Sequence, residues 1–106
     1  MNNRFHNMLG LARRAGRLSS GHDAAVDSIR KGQACICFVT EDGSERLKRE
    51  MKRTVERYDN KIPYVELKCT QYDIREATGL RSAVITVNDA GFASRLQEFL
   101  SEEDTI

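Results

Sequence analysis

The sequence predicts a single α/β domain in which helices cover both faces of a sheet of about four strands. Three observations predict it. Apolar residues switch repeatedly between helical spacing and short runs of strand formers. The chain has 106 residues, enough for one modest core and too few for two. Its 40% apolar and 31% charged residues are the balance of a folded globule, not of a disordered chain.

Phe5, Met8, Leu9, Ala12 and Ala15 follow helical spacing, and Gly16 ends that run as a C-terminal cap. A very short strand is expected at 17–20. Ala25, Val26 and Ile29 define a second helix that stops at Gly32. "ACICFVT" (34–40) is apolar and rich in strand formers, as a buried central strand is. "EDGS" turns the chain. Leu47, Met51, Val55 and Tyr58 then fall on one side of a highly charged amphipathic helix. Pro63 precedes a strand, "YVELK". Thr70 and Asp73 have capping-box spacing for a helix that Gly79 closes. "SAVITV" (82–87) is another buried strand. Asn88 is the expected cap of a last helix with Phe92, Leu96, Phe99 and Leu100 on its apolar face. "SEEDTI" (101–106) reads as a frayed tail.

No apolar run approaches the roughly 20 residues that span a bilayer. The first residues lack the apolar block and small-residue cleavage site of a secretory signal. Three cysteines form no disulfide pattern, so a cytoplasmic, reducing setting is expected. Cys35 and Cys37, two apart on the expected strand, should share a face as small apolar packing. Cys69, His6 and His22 have no zinc spacing relative to them, so no metal is expected. His22 beside Asp23 invites a catalytic reading, but neighbours on a helix do not normally face each other. No nucleophile, dinucleotide or phosphate-loop motif is present, so neither enzyme activity nor a cofactor is expected.

The charge is polarised. Residues 1–58 carry 12 Lys/Arg against 7 Asp/Glu, whereas residues 59–106 carry 5 against 9. A polyanion is the natural partner of the first part, although two solvated faces explain the same counts. Arg13, Arg14 and Arg17 cluster after the first helix, and Arg30 and Lys31 close the second. The interleaved charges of 45–57 read as a solvated face with i,i+4 pairs. No aromatic platform for stacking bases is visible, so any nucleic-acid binding would rest on backbone charge, shape and a few polar turns.

With these turns placed, nearly the whole chain resembles the YlxQ-like branch of the kink-turn RNA-binding ribosomal protein family. The resemblance rests on "LGLARRAGRLSSG" (9–21), "IRKGQACICFVTEDGS" (29–44), "IPYVEL" (62–67), "TQYDIREATG" (70–79) and "VITVNDAGFASRL" (84–96), in that order and spacing. It implies one domain over 1–106, a three-layer α-β-α sandwich with a mixed sheet, without enzyme activity or metal. It also implies binding to sharply bent RNA at tandem G·A pairs, on ribosomes or other ribonucleoprotein particles, with no DNA partner.

In that family the turn before the second helix meets the RNA, which maps the contact to Ser20, Gly21, His22 and Asp23. Further family contact regions match Glu41 and Asp42, and Leu80, Arg81 and Ser82. The sandwich is expected to bring Arg14, Arg17, Lys31 and Arg81 near the start of the second helix. The chain departs from the pattern where His22 replaces an acidic residue and Asp27 a lysine; Asp23-Ala24 stands for the wider family's Asn-Glu. The inversion at 27 puts repulsion where the family has attraction to phosphate. The alternative is a protein-interaction module on the same fold, docking through its acidic half and binding RNA weakly or not at all. A steep loss of RNA affinity with added salt separates the two.

Overall fold

The Asn2 side chain accepts a hydrogen bond from the Phe5 amide, which caps α1 (Asn3–Arg14). From there helices and strands alternate: β1 (Leu18–Ser20), α2 (His22–Arg30), β2 (Ile36–Val39), α3 (Glu45–Tyr58), β3 (Tyr64–Glu66), α4 (Gln71–Thr78), β4 (Val84–Val87) and α5 (Ala90–Asp104). The computed structural model describes residues 2–58 and 61–104. Thr70 and Asp73 form the expected capping box on α4, and Gly79 ends that helix in the left-handed region at φ 79°.

The sheet order is β1-β4-β2-β3, antiparallel at its first two pairings and parallel between β2 and β3. Alternation along the two central strands builds two cores. Ile36, Phe38, Ile85 and Val87 face α1, α4 and α5, packing with Phe5, Leu9, Ile74, Leu96 and Phe99. Phe5 meets Phe38 edge-on, with ring centroids 5.6 Å apart, a contact worth ~0.5–1.5 kcal/mol beyond its buried area. Cys37, Val39 and Val84 face α2 and α3, packing with Ala25, Ile29, Met51 and Val55. On this side the buried Ser28 hydroxyl lies 2.7 Å from that of Thr86 and pins α2 to β4. The result is the three-layer α-β-α sandwich with a mixed sheet.

Several local expectations are corrected. Asp89, not Asn88, accepts the Phe92 amide at the start of α5. Asn88 is engaged elsewhere: its amide donates to Ser19 Oγ at 2.8 Å, and its oxygen accepts from Thr86. Regular alternation begins only at Ile36, because Cys35 lies in the bend before β2. Cys35 therefore packs against the α1 side and Cys37 into the α2 side, not on a shared face. Burial pushes the Cys37 thiol up to about 12, the behaviour of an inert packing group. Tyr58 is 45% exposed, because α3 carries its ring past the edge of the core. Helix α5 continues to Asp104, four residues into the expected tail, whereas 105–106 lie outside the described residues.

Candidate nucleic-acid interface

Strand register decides which loops share an end of the sheet. Ser20 pairs with Ile85 and Val39 with Val84, so β1 and β2 finish where β4 starts. Turns 20–23 and 40–43 and the segment 80–83 therefore gather at one end. The Thr40 amide donates to the Ala83 carbonyl, and the Gly21 amide to that of Val84. The sequence-derived contact regions are thus contiguous.

Gly21 is the N-cap of α2 at φ 92°, ψ 163°, in the positive-φ region that L side chains disfavour. A Cβ there would meet nothing within 4 Å, so conformation and not space requires the glycine. Its amide also donates to Ser82 Oγ at 3.0 Å. Ser82 Oγ donates to the Val84 carbonyl at 2.7 Å and accepts from the Val84 amide at 3.2 Å. Ser82 is 7% exposed, so its hydroxyl is a brace between two loops and not a free surface group. Among the described residues no side chain caps α2, and the Ala25 amide is the first to bond back, to Gly21. The amides of His22, Asp23 and Ala24 point outward as donors, with the partial positive charge of a helix start behind them.

His22 corrects the expectation that it and Asp23 do not face each other. As the first residue of α2 it has no preceding helical turn in its way, and Nδ1 sits 2.9 Å from Asp23 Oδ1. Its Nε2 reaches Glu50 Oε2 on α3 at 3.1 Å. The Asp23 hydrogen bond first, and then the Glu50 carboxylate, hold the imidazole above its ordinary pKa. With both ring nitrogens committed to carboxylates, His22 has no nitrogen directed at a nucleophile. It clamps the start of α2 to α3.

The neighbouring loops are braced too. Asp42 accepts from Thr40 Oγ1 at 2.7 Å and from the Gln71 amide, joining its turn to the start of α4; the Thr40 bond above all lowers its pKa. The Glu41 carbonyl accepts from Lys48 while its own side chain is exposed. Thr78 Oγ1 accepts from the Leu80 amide at 3.0 Å, fixing the segment that presents the exposed Arg81.

Arg14, Arg17 and Lys31 are not brought to this end. The Arg17 carbonyl accepts from the Asn88 amide, and the Cys35 amide donates to Val87, so the ends of α1 and α2 meet the far end of β4. The whole length of β1 separates them from Gly21. Lys31 is also paired with Asp27 at 3.0 Å, an i,i+4 contact on exposed α2 surface. Among the described residues no group of three or more His, Cys, Asp or Glu is placed to hold a metal.

Sequence reasoning passed over a groove of about 410 Å³ beside the turn, lined by His22, Val26, Glu50, Arg53, Thr54, Arg57 and Tyr58. The i,i+4 spacing of Arg53 and Arg57 was the available signal, masked by the alternating charges around it.

Residues 3–96 match the model of the Ribosomal protein L7Ae/L30e/S12e/Gadd45 family. The chain is 34% identical over 94 residues to "RNA-binding protein YlxQ" of Enterococcus faecium, covering 89% of this chain and 88% of that one. It is 31% identical over 93 residues to the Bacillus subtilis (strain 168) protein of the same name, covering 88% and 91%. A solved protein of unknown function from Bacillus halodurans superposes with a TM-score of 0.84 at 27% identity, covering 94% of this chain and 99% of the other. The Giardia lamblia 15.5 kD RNA-binding protein shares the fold alone, with a TM-score of 0.72 at 13% identity over 96% of this chain and 89% of that one.

Proposed function

We propose, for a chain that belongs to the ribosomal protein L7Ae/L30e/S12e/Gadd45 family, that it is a non-enzymatic RNA-binding protein recognising a sharply bent, kink-turn-like RNA. The observation that carries this reading is the brace between Gly21 and Ser82. It holds the outward amides of 22–24 beside Arg81, giving donors for base and phosphate oxygens at a helix start and a cation next to them. The names of the two relatives support RNA, rather than a docked protein, as the ligand. Three free thiols support a reducing, cytoplasmic setting, and the ribosome or another ribonucleoprotein particle is the place we propose for it.

Kink-turn RNA and a straight duplex of equal length, titrated at one stated salt concentration, test the reading. Tighter binding to the kink-turn is expected, with affinity falling steeply as salt rises. Equal affinities would reduce the site to a non-specific polyanion surface.

A further inference from the structure

The turn end mixes exposed charges of both signs. Asp23 and Glu41 are exposed there, Asp27 follows one turn along α2, and Lys48 is only 14% exposed at its side chain and donates to the Glu41 carbonyl. Arg81 is exposed there and Arg49 stands one turn into α3, so positive charge for a longer RNA has to be sought next to the turn.

The α2–α3 groove supplies it. It starts at His22, the residue it shares with the turn, and runs along α3 to Tyr58. Arg53 and Arg57 lie one helical turn apart on its wall, both exposed, and neither pairs with a carboxylate among the described residues. The one carboxylate in the lining, Glu50, is engaged by His22 at 3.1 Å and by Arg46 Nε at 3.2 Å. At the far end the Arg57 guanidinium lies over the Tyr58 ring, 5.2 Å from its centroid. An exposed aromatic ring beside Arg57, with Arg53 one turn back along the same wall, combines the backbone charge and stacking surface of single-strand sites.

We propose that this groove carries the single-stranded RNA that continues from the turn, with Arg53 and Arg57 on successive phosphates and a base on Tyr58. The proposal rests on the RNA-binding reading above. It makes α3 part of the interface and gives the protein a preference for a bent RNA with an unpaired extension over the bent motif alone.

The test compares a kink-turn RNA trimmed flush with two extended forms, which carry about six unpaired nucleotides at one end or at the other. Wild-type protein should bind one extended RNA more tightly than the trimmed one. The Arg53→Gln/Arg57→Gln double variant should abolish that advantage and make the salt slope for extended RNA shallower by about 1.4 units, the loss of two single-strand phosphate contacts. Tyr58→Leu should weaken extended RNA about fivefold or more without changing the slope. Neither variant should alter binding of the trimmed RNA. Equal binding of trimmed and extended RNAs by wild type, or a double variant that weakens them alike, overturns the groove while leaving the turn intact. If wild type binds none of these RNAs, the RNA reading itself falls and the groove with it.

Discussion

The two ends of the sheet differ in which helix termini they collect. At the turn end α2, α3 and α4 begin, offering outward amides and partial positive charge, among exposed acidic side chains. At the other end α1 and α2 stop, and Arg13, Arg14 and Arg30 stand in or beside their last turns with Arg17 between them. Cations at helix C-termini complement the macrodipole by ~0.3–1 kcal/mol each, so this cluster has a structural use without RNA. The difference teaches that the basic residues of 1–58 do not gather at one end of the sheet. Charge counted along a chain reports solvation, and the register of the strands decides where it goes.

Four measurements break or sharpen that contrast. The largest effect is expected for Ser82→Ala, which removes a buried hydroxyl that accepts from the Val84 amide and leaves the Gly21 amide only its bond to the Val84 carbonyl. It should cost ~1–3 kcal/mol, a fall of about 10 °C in Tm for a domain of this size. Arg14→Ala/Arg17→Ala at the opposite end should stay within ~0.5 kcal/mol. Calorimetry decides, and equal losses would mean the loops are not braced by Ser82.

Next, Arg81→Ala should weaken every competent RNA and lower the salt slope by about one unit, whereas the Arg14/Arg17 pair should leave trimmed kink-turn binding alone. A larger loss from the pair would put RNA on the far end. Third, Asp27→Lys exchanges repulsion for attraction near the turn. Two unit charges at 8 Å in water are worth ~0.5 kcal/mol, so the change of two charges should tighten binding about fivefold before screening. The gain should shrink with salt, and loss of the Lys31 pair should lower stability by only ~0.3–0.5 kcal/mol. Unchanged affinity would show that position 27 does not face RNA.

The smallest effect concerns pH. The folded pKa of His22 is raised, so the stability its clamp adds is fully present below the unfolded value of about 6.5 and is lost as pH rises through the folded value. RNA affinity should fall modestly over the same interval as the positive charge disappears, and His22→Gln should flatten the profile. An NMR titration giving an ordinary or lowered pKa for His22 would remove the clamp.

The central strands were readable because "ACICFVT" and "SAVITV" are short apolar runs buried on both faces. The Thr70–Asp73 box was readable because its partners lie three residues apart. The cap of α5 was not, since Asn88 and Asp89 are both good caps and the choice depends on Ser19, 69 residues away. The resemblance located the turn at 20–23 and the segment at 80–82, which the structure joins through one hydrogen bond. It could not show that Arg14, Arg17 and Lys31 lie at the far end, because that requires knowing that β1 runs antiparallel to β4. The His22 clamp was hidden for a similar reason, as Glu50 belongs to another helix.

The brace at Gly21 also bears on how the protein comes into being. Both acceptors of its amide, Ser82 Oγ and the Val84 carbonyl, lie more than 60 residues downstream. Helix α2 can form early from local contacts, but the geometry of its first residues waits for β4 to insert beside β1. Such distant pairing is slow relative to helix formation. During synthesis, the growing chain therefore lacks the braced form of this turn until most of its length has left the ribosome exit. A fragment ending before β4 would contain the residues of that turn without its shape.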